Sequence, residues 1–300
     1  MEGLYMKHCR LKWLSAILCA FFVFSVVSPA MAAVLPVVAS GTTVYANEKA
    51  KVDASNVKDG YVMVAWNGQA QKRLKARVTG PSGTVYTYDL NKNGSYEAFP
   101  LSDGSGKYTV GVYENTSGNK YALAFSTPVT VMLTDSFAPF LRPNQYVNFN
   151  ENSQAVKKAA ELTKGKTDDL EKITAIYDFT VKNLTYDKQK AKTVQSGYLP
   201  DVDKVLATKK GICFDYAALM TAMLRSQGVP TKLVVGYTGD QYHAWLSTYV
   251  PEKGWVEGVI FFDGVNWKLM DPTFASSANQ SEKIMEYINN SNNYSAKYLY

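Results

Sequence analysis

Hydrophobic and polar positions change rhythm near residue 150. Before it, short apolar runs read as strands. Tyr61-Val62-Met63-Val64-Ala65-Trp66 is continuous, whereas Thr84-Val85-Tyr86-Thr87-Tyr88 and Lys107-Tyr108-Thr109-Val110-Gly111-Val112-Tyr113 alternate as half-buried strands do. Gly80-Pro81-Ser82-Gly83, Asn93-Gly94, Asp103-Gly104 and Ser117-Gly118 punctuate them as turns. This spacing predicts an all-β, immunoglobulin-like sandwich over residues 33–135, without that fold's disulfide. Asp89-Leu90-Asn91-Lys92-Asn93-Gly94 starts like a calcium-binding loop, but the twelfth position is Pro100 and no helices flank it. A hairpin turn is the better reading. Residues 136–150 begin with two prolines among bulky side chains and read as a linker or a packed crossover.

Beyond that point the period lengthens. Glu151 to Leu162 is rich in alanine and lysine, and Asp168-Asp169-Leu170-Glu171 reads as a capped helix start. Leu170, Ile173, Tyr177, Val181 and Leu184 step by three and four into one apolar face. Lys188 to Gly197 is polar and reads as exposed. Phe214 to Gln227 is a helix filled with alanine, leucine and methionine, closed by Gly228 and Pro230. Lys232 to Tyr237 is a β-branched strand. After the Gly239-Asp240 turn, Ala244, Leu246 and Thr248 alternate with His243, Trp245, Ser247 and Tyr249. Gly254 to Phe262 and Asn266 to Met270 supply two more strands, Ser281 to Ile288 a terminal helix, and Asn289 to Tyr300 is polar and weakly specified. Helices followed by an antiparallel meander make residues 151–300 an α+β domain.

Composition narrows the function. With 46% hydrophobic and 19% charged residues the chain is well cored rather than disordered. A formal charge of +6, carried by scattered lysines, argues against a nucleic-acid binder. Residues 1–32 read as a secretory signal peptide. Lys7, Arg10 and Lys12 precede an apolar run from Trp13 to Val27, and Ala30-Met31-Ala32 ends in a small-residue cleavage pattern. Leu18 before Cys19 fits lipoprotein processing poorly. Export is therefore expected, to the cell envelope or outside it, with no stable membrane insertion after cleavage; a retained anchor is the alternative.

Removing the signal changes the cysteine count. The chain has three cysteines and two histidines, and the signal takes Cys9, Cys19 and His8. The mature protein keeps Cys213 and His243 alone, so neither an internal disulfide nor a Cys/His metal site is available. No cofactor is expected. Cys213 is then either a small buried hydrophobe or a reactive thiol. As the residue that opens the predicted helix, it would have unpaired N–H groups and the macrodipole to stabilise a thiolate. His243, at the start of a strand, could take the thiol proton and return it, and Asp271 could orient the imidazole. Each residue also has a plain structural reading: packed thiol, hydrogen-bonded histidine, turn-forming aspartate before Pro272. Asp215 reads as a helix N-terminal charge only.

Taken in order, Gly211-Ile212-Cys213 with Asp215 and Ala217, Gly228-Val229-Pro230-Thr231, Val235-Gly236-Tyr237, His243-Ala244-Trp245 and Asp271-Pro272-Thr273-Phe274 form one pattern. It resembles the bacterial branch of the transglutaminase-like superfamily, over residues 167–275. The resemblance implies a papain-like core with Cys213 as nucleophile, His243 as general base and Asp271 as orienting carboxylate. It implies acyl transfer on protein or peptide amides through a Cys213 thioester, resolved by an amine (transamidation) or by water (deamidation or proteolysis). Animal members need calcium, but no acidic cluster here would hold it. Relatives complete the oxyanion hole with an upstream side chain; Tyr177, Tyr186 and Tyr198 are candidates and no motif chooses among them. A cell-wall peptidase whose third catalytic residue is a second histidine fits less well, since the mature chain has none. From a different class, a non-catalytic surface adhesion or scaffold protein with a vestigial triad is the alternative.

Overall fold

The alternating first half forms eight strands: β1 (Val44–Ala46), β2 (Ala50–Asp53), β3 (Tyr61–Trp66), β4 (Leu74–Thr79), β5 (Val85–Leu90), β6 (Glu97–Pro100), β7 (Gly106–Ser117) and β8 (Lys120–Val131). They pair antiparallel into two four-stranded sheets, ordered β1-β2-β3-β6 and β5-β4-β7-β8. The period of two sets the faces: Leu74, Ala76 and Val78 are buried, with Lys75 and Arg77 between them half-exposed. β3 is buried throughout, and the Val38 N–H donates to the hydroxyl of its Tyr61 at 3.2 Å. Gly94 supplies the positive φ, 81°, that its Asn-Gly turn needs.

A computed structural model describes residues 34–251, 254–257, 260–262, 267–269 and 294–300. The predicted signal, Asp271 with its Asp-Pro-Thr motif, and the helix expected over Ser281 to Ile288 lie outside the described residues.

The second half runs α1 (Gln154–Leu162), α2 (Asp169–Asn183), β9 (Thr185–Tyr186), α3 (Lys188–Thr193), α4 (Val202–Thr208), β10 (Lys210–Gly211), α5 (Cys213–Ser226), β11 (Thr231–Thr238), β12 (Gln241–Val250), β13 (Gly254–Glu257), β14 (Ile260–Phe262), β15 (Trp267–Leu269) and β16 (Tyr294–Leu299). This is the expected α+β order. The helix α5 is apolar all round and accordingly buried from Asp215 to Ser226, packed against α1, α2, α4, β11 and β12. Its end is a Schellman motif: Val229 N–H donates to Leu224 O and Gly228 N–H to Arg225 O, with Gly228 at φ 78°. At the other end of the helical layer, Asp168 caps α2 by accepting from the Glu171 N–H.

Two details differ from the pattern. The buried stripe of α2 is Ile173, Ile176, Tyr177, Thr180 and Leu184, while Leu170 and Val181 are only half-buried. Thr180 tolerates burial because its hydroxyl donates back to Ile176 O at 2.9 Å. The polar C-terminal stretch contributes β16, which completes a sheet ordered β13-β12-β11-β16. Tyr300 and Leu233 exchange backbone hydrogen bonds, and buried Arg225 donates to the carbonyls of Arg142, Thr231 and Tyr300. Residues 136–143 are a packed crossover: Ala138 and Phe140 are buried, and the Phe137 and Phe140 rings meet Trp255.

The two halves share one core. Tyr86 and Tyr88 of β5 reach Tyr298 and Tyr146, with ring centroids 5.7 and 5.6 Å apart, and Tyr146 lies 4.5 Å from Tyr300. Such pairs add specific geometry to a large apolar burial.

Candidate active site

The loop before Cys213 is held by pairing rather than by its own sequence. α4 ends at Lys209, which adopts φ 53°, and the chain then enters β10. β10 pairs in parallel with β9, setting Gly211 beside Tyr186; the Asp187 N–H donates to Gly211 O at 2.8 Å. Ile212 follows as N-cap, and Cys213 is the first residue of α5, half-buried with a free thiol. There the unpaired N–H groups of the first turn and the macrodipole favour a negative charge.

Asp215, two residues on, is fully buried. Its Oδ2 accepts from the Ile212 N–H at 2.8 Å and from Lys190 Nζ at 2.6 Å, and its Oδ1 accepts from the Tyr198 hydroxyl at 2.5 Å. The Lys190 ammonium also lies 4.2 Å from the centroid of the Tyr198 ring. Burial first, and then the hydrogen bond and charge of Asp215, hold the Tyr198 hydroxyl protonated well above its ordinary range. A side chain at Gly211 would place Cβ 2.6 Å from Cβ of Asp215, which is why glycine stands there. Asp215 is therefore more than the helix-terminal charge expected, and the stretch Lys188 to Gly197, though mostly exposed, sends Lys190 inward to it. One signal of this was available: a carboxylate inside an otherwise apolar helix must find partners.

His243 is buried on β12, opposite Gly236 of β11. Its ring lies nearly parallel to that of Trp245, at 19° with centroids 6.1 Å apart. Gly236 is required by close approach, because a Cβ there would meet the backbone of β16 at Ser295 and Ala296 and the Trp245 ring. Within β12, Ala244, Leu246 and Val250 join the core shared with α5, and alternation puts His243 and Trp245 on the other face. α5 packs against β12, so the elements that carry Cys213 and His243 adjoin, but on this alternation His243 stands on the face of β12 away from α5; Asp271 lies outside the described residues. Of the three upstream tyrosines, Tyr177 packs into the core from α2, the Tyr198 proton is committed to Asp215, and Tyr186 stands half-buried beside Gly211. Among the described residues no group of three or more His, Cys, Asp or Glu side chains gathers to hold a metal ion.

A cysteine opening a buried helix that is laid on an antiparallel sheet, with a histidine on one strand of that sheet, makes a mixed α+β core. Residues 156–258 match the model of the Transglutaminase-like superfamily, and this segment is a transglutaminase-like core. The chain is 25% identical over 197 residues to YebA of Bacillus subtilis, covering 56% of this chain and 26% of that protein. It is 28% identical over 98 residues to a protein-glutamine gamma-glutamyltransferase of Pseudomonas aeruginosa, covering 28% of this chain and 13% of that one. The chain thus spans only a minor part of either relative. Among solved structures, the periplasmic domain of TgpA from Pseudomonas aeruginosa aligns at a TM-score of 0.37 and 18% identity, over 75% of this chain and 74% of that one.

Proposed function

We propose that the protein is an exported cysteine-dependent acyl-transfer enzyme acting on protein or peptide amides. The observation that carries this reading is the place of Cys213, a partly accessible thiol on the first turn of a helix that packs against the strand of His243. In the proposed cycle, the imidazole of His243 takes the thiol proton and the thiolate sulfur attacks the amide carbonyl carbon. The Cys213 N–H, with Tyr186 as second donor, stabilises the oxyanion. Collapse breaks the C–N bond, the imidazolium returns the proton to the departing nitrogen, and a thioester remains. An incoming amine or water attacks that thioester, gives its proton to His243, and the thiol is regenerated. Asp271 orients the imidazole.

The support for export is the basic, apolar and small-residue order of residues 1–32. The proposed location is the cell envelope or the exterior, with envelope protein or peptide as partner. Among the described residues no helix is long and apolar enough to cross a membrane. The division into 33–135, 136–150 and 151–300, and an immunoglobulin-like type for the first of these, belong to the same proposal; the strand order of the two sheets supports the latter.

Iodoacetamide labelling of the folded mature protein tests this. Cys213 is expected to react faster than a free thiol at neutral pH, and His243→Ala to slow it about tenfold. A thiol that labels only after unfolding would sink the proposal.

A further inference from the structure

Arg73, just before β4, and Lys75 and Arg77 within it sit at alternate positions on the outward side of the sheet, away from buried Leu74, Ala76 and Val78. They line a cavity of about 800 Å³ walled also by Tyr113, Tyr121 and, from the α+β half, Ser196 and Gly197. β4 lies between β5 and β7, so these cations are not the charges that guard a sheet edge. The Arg77 guanidinium lies 5.2 Å from the centroid of the Tyr113 ring, and that of Arg73 lies 6.0 Å from Tyr121. A guanidinium laid on a ring keeps N–H groups at its edge for an anion. Arg73 spends one on Gly118 O. Lys75 is paired with Asp89 at 2.6 Å, whereas among the described residues neither arginine has a carboxylate partner.

Two chains of contacts run from the cavity to the residues around Cys213. Gly197 precedes Tyr198, whose hydroxyl donates to Asp215. Gln145 donates to Asp89 O at 2.6 Å, and the neighbouring Tyr146 ring lies 5.5 Å from Phe214, the residue after Cys213. With Lys75 neutralised, the two open cations stand about 13 Å apart along the strand, the distance between side chains four residues apart in an extended peptide.

We infer that this cleft binds an acidic, extended segment of the polypeptide substrate, with carboxylates four residues apart on Arg73 and Arg77. The inference takes its substrate class from the acyl-transfer reading, so its test measures binding without turnover. The full mature chain carrying Cys213→Ala is titrated, by fluorescence anisotropy at low salt, into a labelled peptide with two glutamates four residues apart flanking a glutamine. Arg73→Gln/Arg77→Gln is expected to weaken binding about tenfold, while Lys157→Gln/Lys164→Gln, which removes the same charge elsewhere, leaves it within about twofold. Equal losses in both variants, or equal binding of a peptide whose glutamates are adjacent, would overturn the site. Tighter binding of polyphosphate than of the peptide would overturn the peptide assignment. Should the double glutamine variant fail to fold, Arg73→Lys/Arg77→Lys replaces it, with about a threefold loss expected and an unchanged affinity contradicting the stacked guanidinium geometry. Spaced-glutamate binding by a wild type that turns nothing over would remove the acyl-transfer reading alone; turnover without it would remove this inference alone.

Discussion

Asp215 anchors the nucleophile loop, and its partners make an unequal demand on stability. Lys190 is about a quarter exposed, at 27%, whereas the Asp215 side chain has no exposure. Lys190→Met leaves a buried carboxylate without its cation, which costs about 3 kcal/mol. Asp215→Asn leaves a lysine that can turn to water, and a loss of about 1–2 kcal/mol is expected. Urea unfolding midpoints measure both, and the reverse order would contradict the account. The position of Cys213 at the start of the helix was legible in the sequence, through the glycine turn before the helix and the count of thiols outside the predicted signal. Lys190 and Tyr198 were not legible as its support. They come from a polar stretch whose place is set by β9–β10 pairing, a contact between segments 25 residues apart in register that local pattern does not encode.

Among the elements, α5 announced itself most clearly, because its composition and its glycine-proline C-terminal end agree. Its C-terminal glycine makes the expected capping bonds. β16 did not, and the reason is physical. Its register against β11 shifts at a bulge between Val235 and Gly236, so Tyr294, Tyr298 and Leu299 do not follow a period of two. Gly236 is the point where β16 comes closest. Gly236→Ala is expected to push that strand away and cost about 2 kcal/mol. Hydrogen exchange should then quicken at residues 294–299 while the amides of α5 stay protected. Unchanged protection of β16 would show that the strand adapts at no cost.

At the scale of the whole molecule, the shift of pattern near residue 150 was legible, but the tyrosine seam joining the halves was not. A buried tyrosine on a strand looks the same in sequence whether a sheet or another half covers it. The seam gives the protein an alkaline limit. Burial raises the Tyr86 hydroxyl from its ordinary 10.0 to about 12. The unfolded chain loses that proton first, so this contribution is whole below about pH 10 and disappears as pH rises towards about 12. A loss on the order of 2–3 kcal/mol from this group is expected across that window, and Tyr86→Phe should remove its share. Unfolding midpoints followed from pH 9 upward check the sign; stability that rises with pH there would contradict it.

The central claim concerns chemistry at Cys213, and one measurement meets it directly. The mature protein is incubated with a glutamine-containing peptide library, with and without a primary amine, and the products are weighed by mass spectrometry. Wild type is expected to give a Cys213-dependent mass shift: amine addition, the roughly 1 Da gain of deamidation, or backbone cleavage, with Cys213→Ala giving none while keeping its fold. Unchanged peptides, or shifts that persist in Cys213→Ala, would contradict the account.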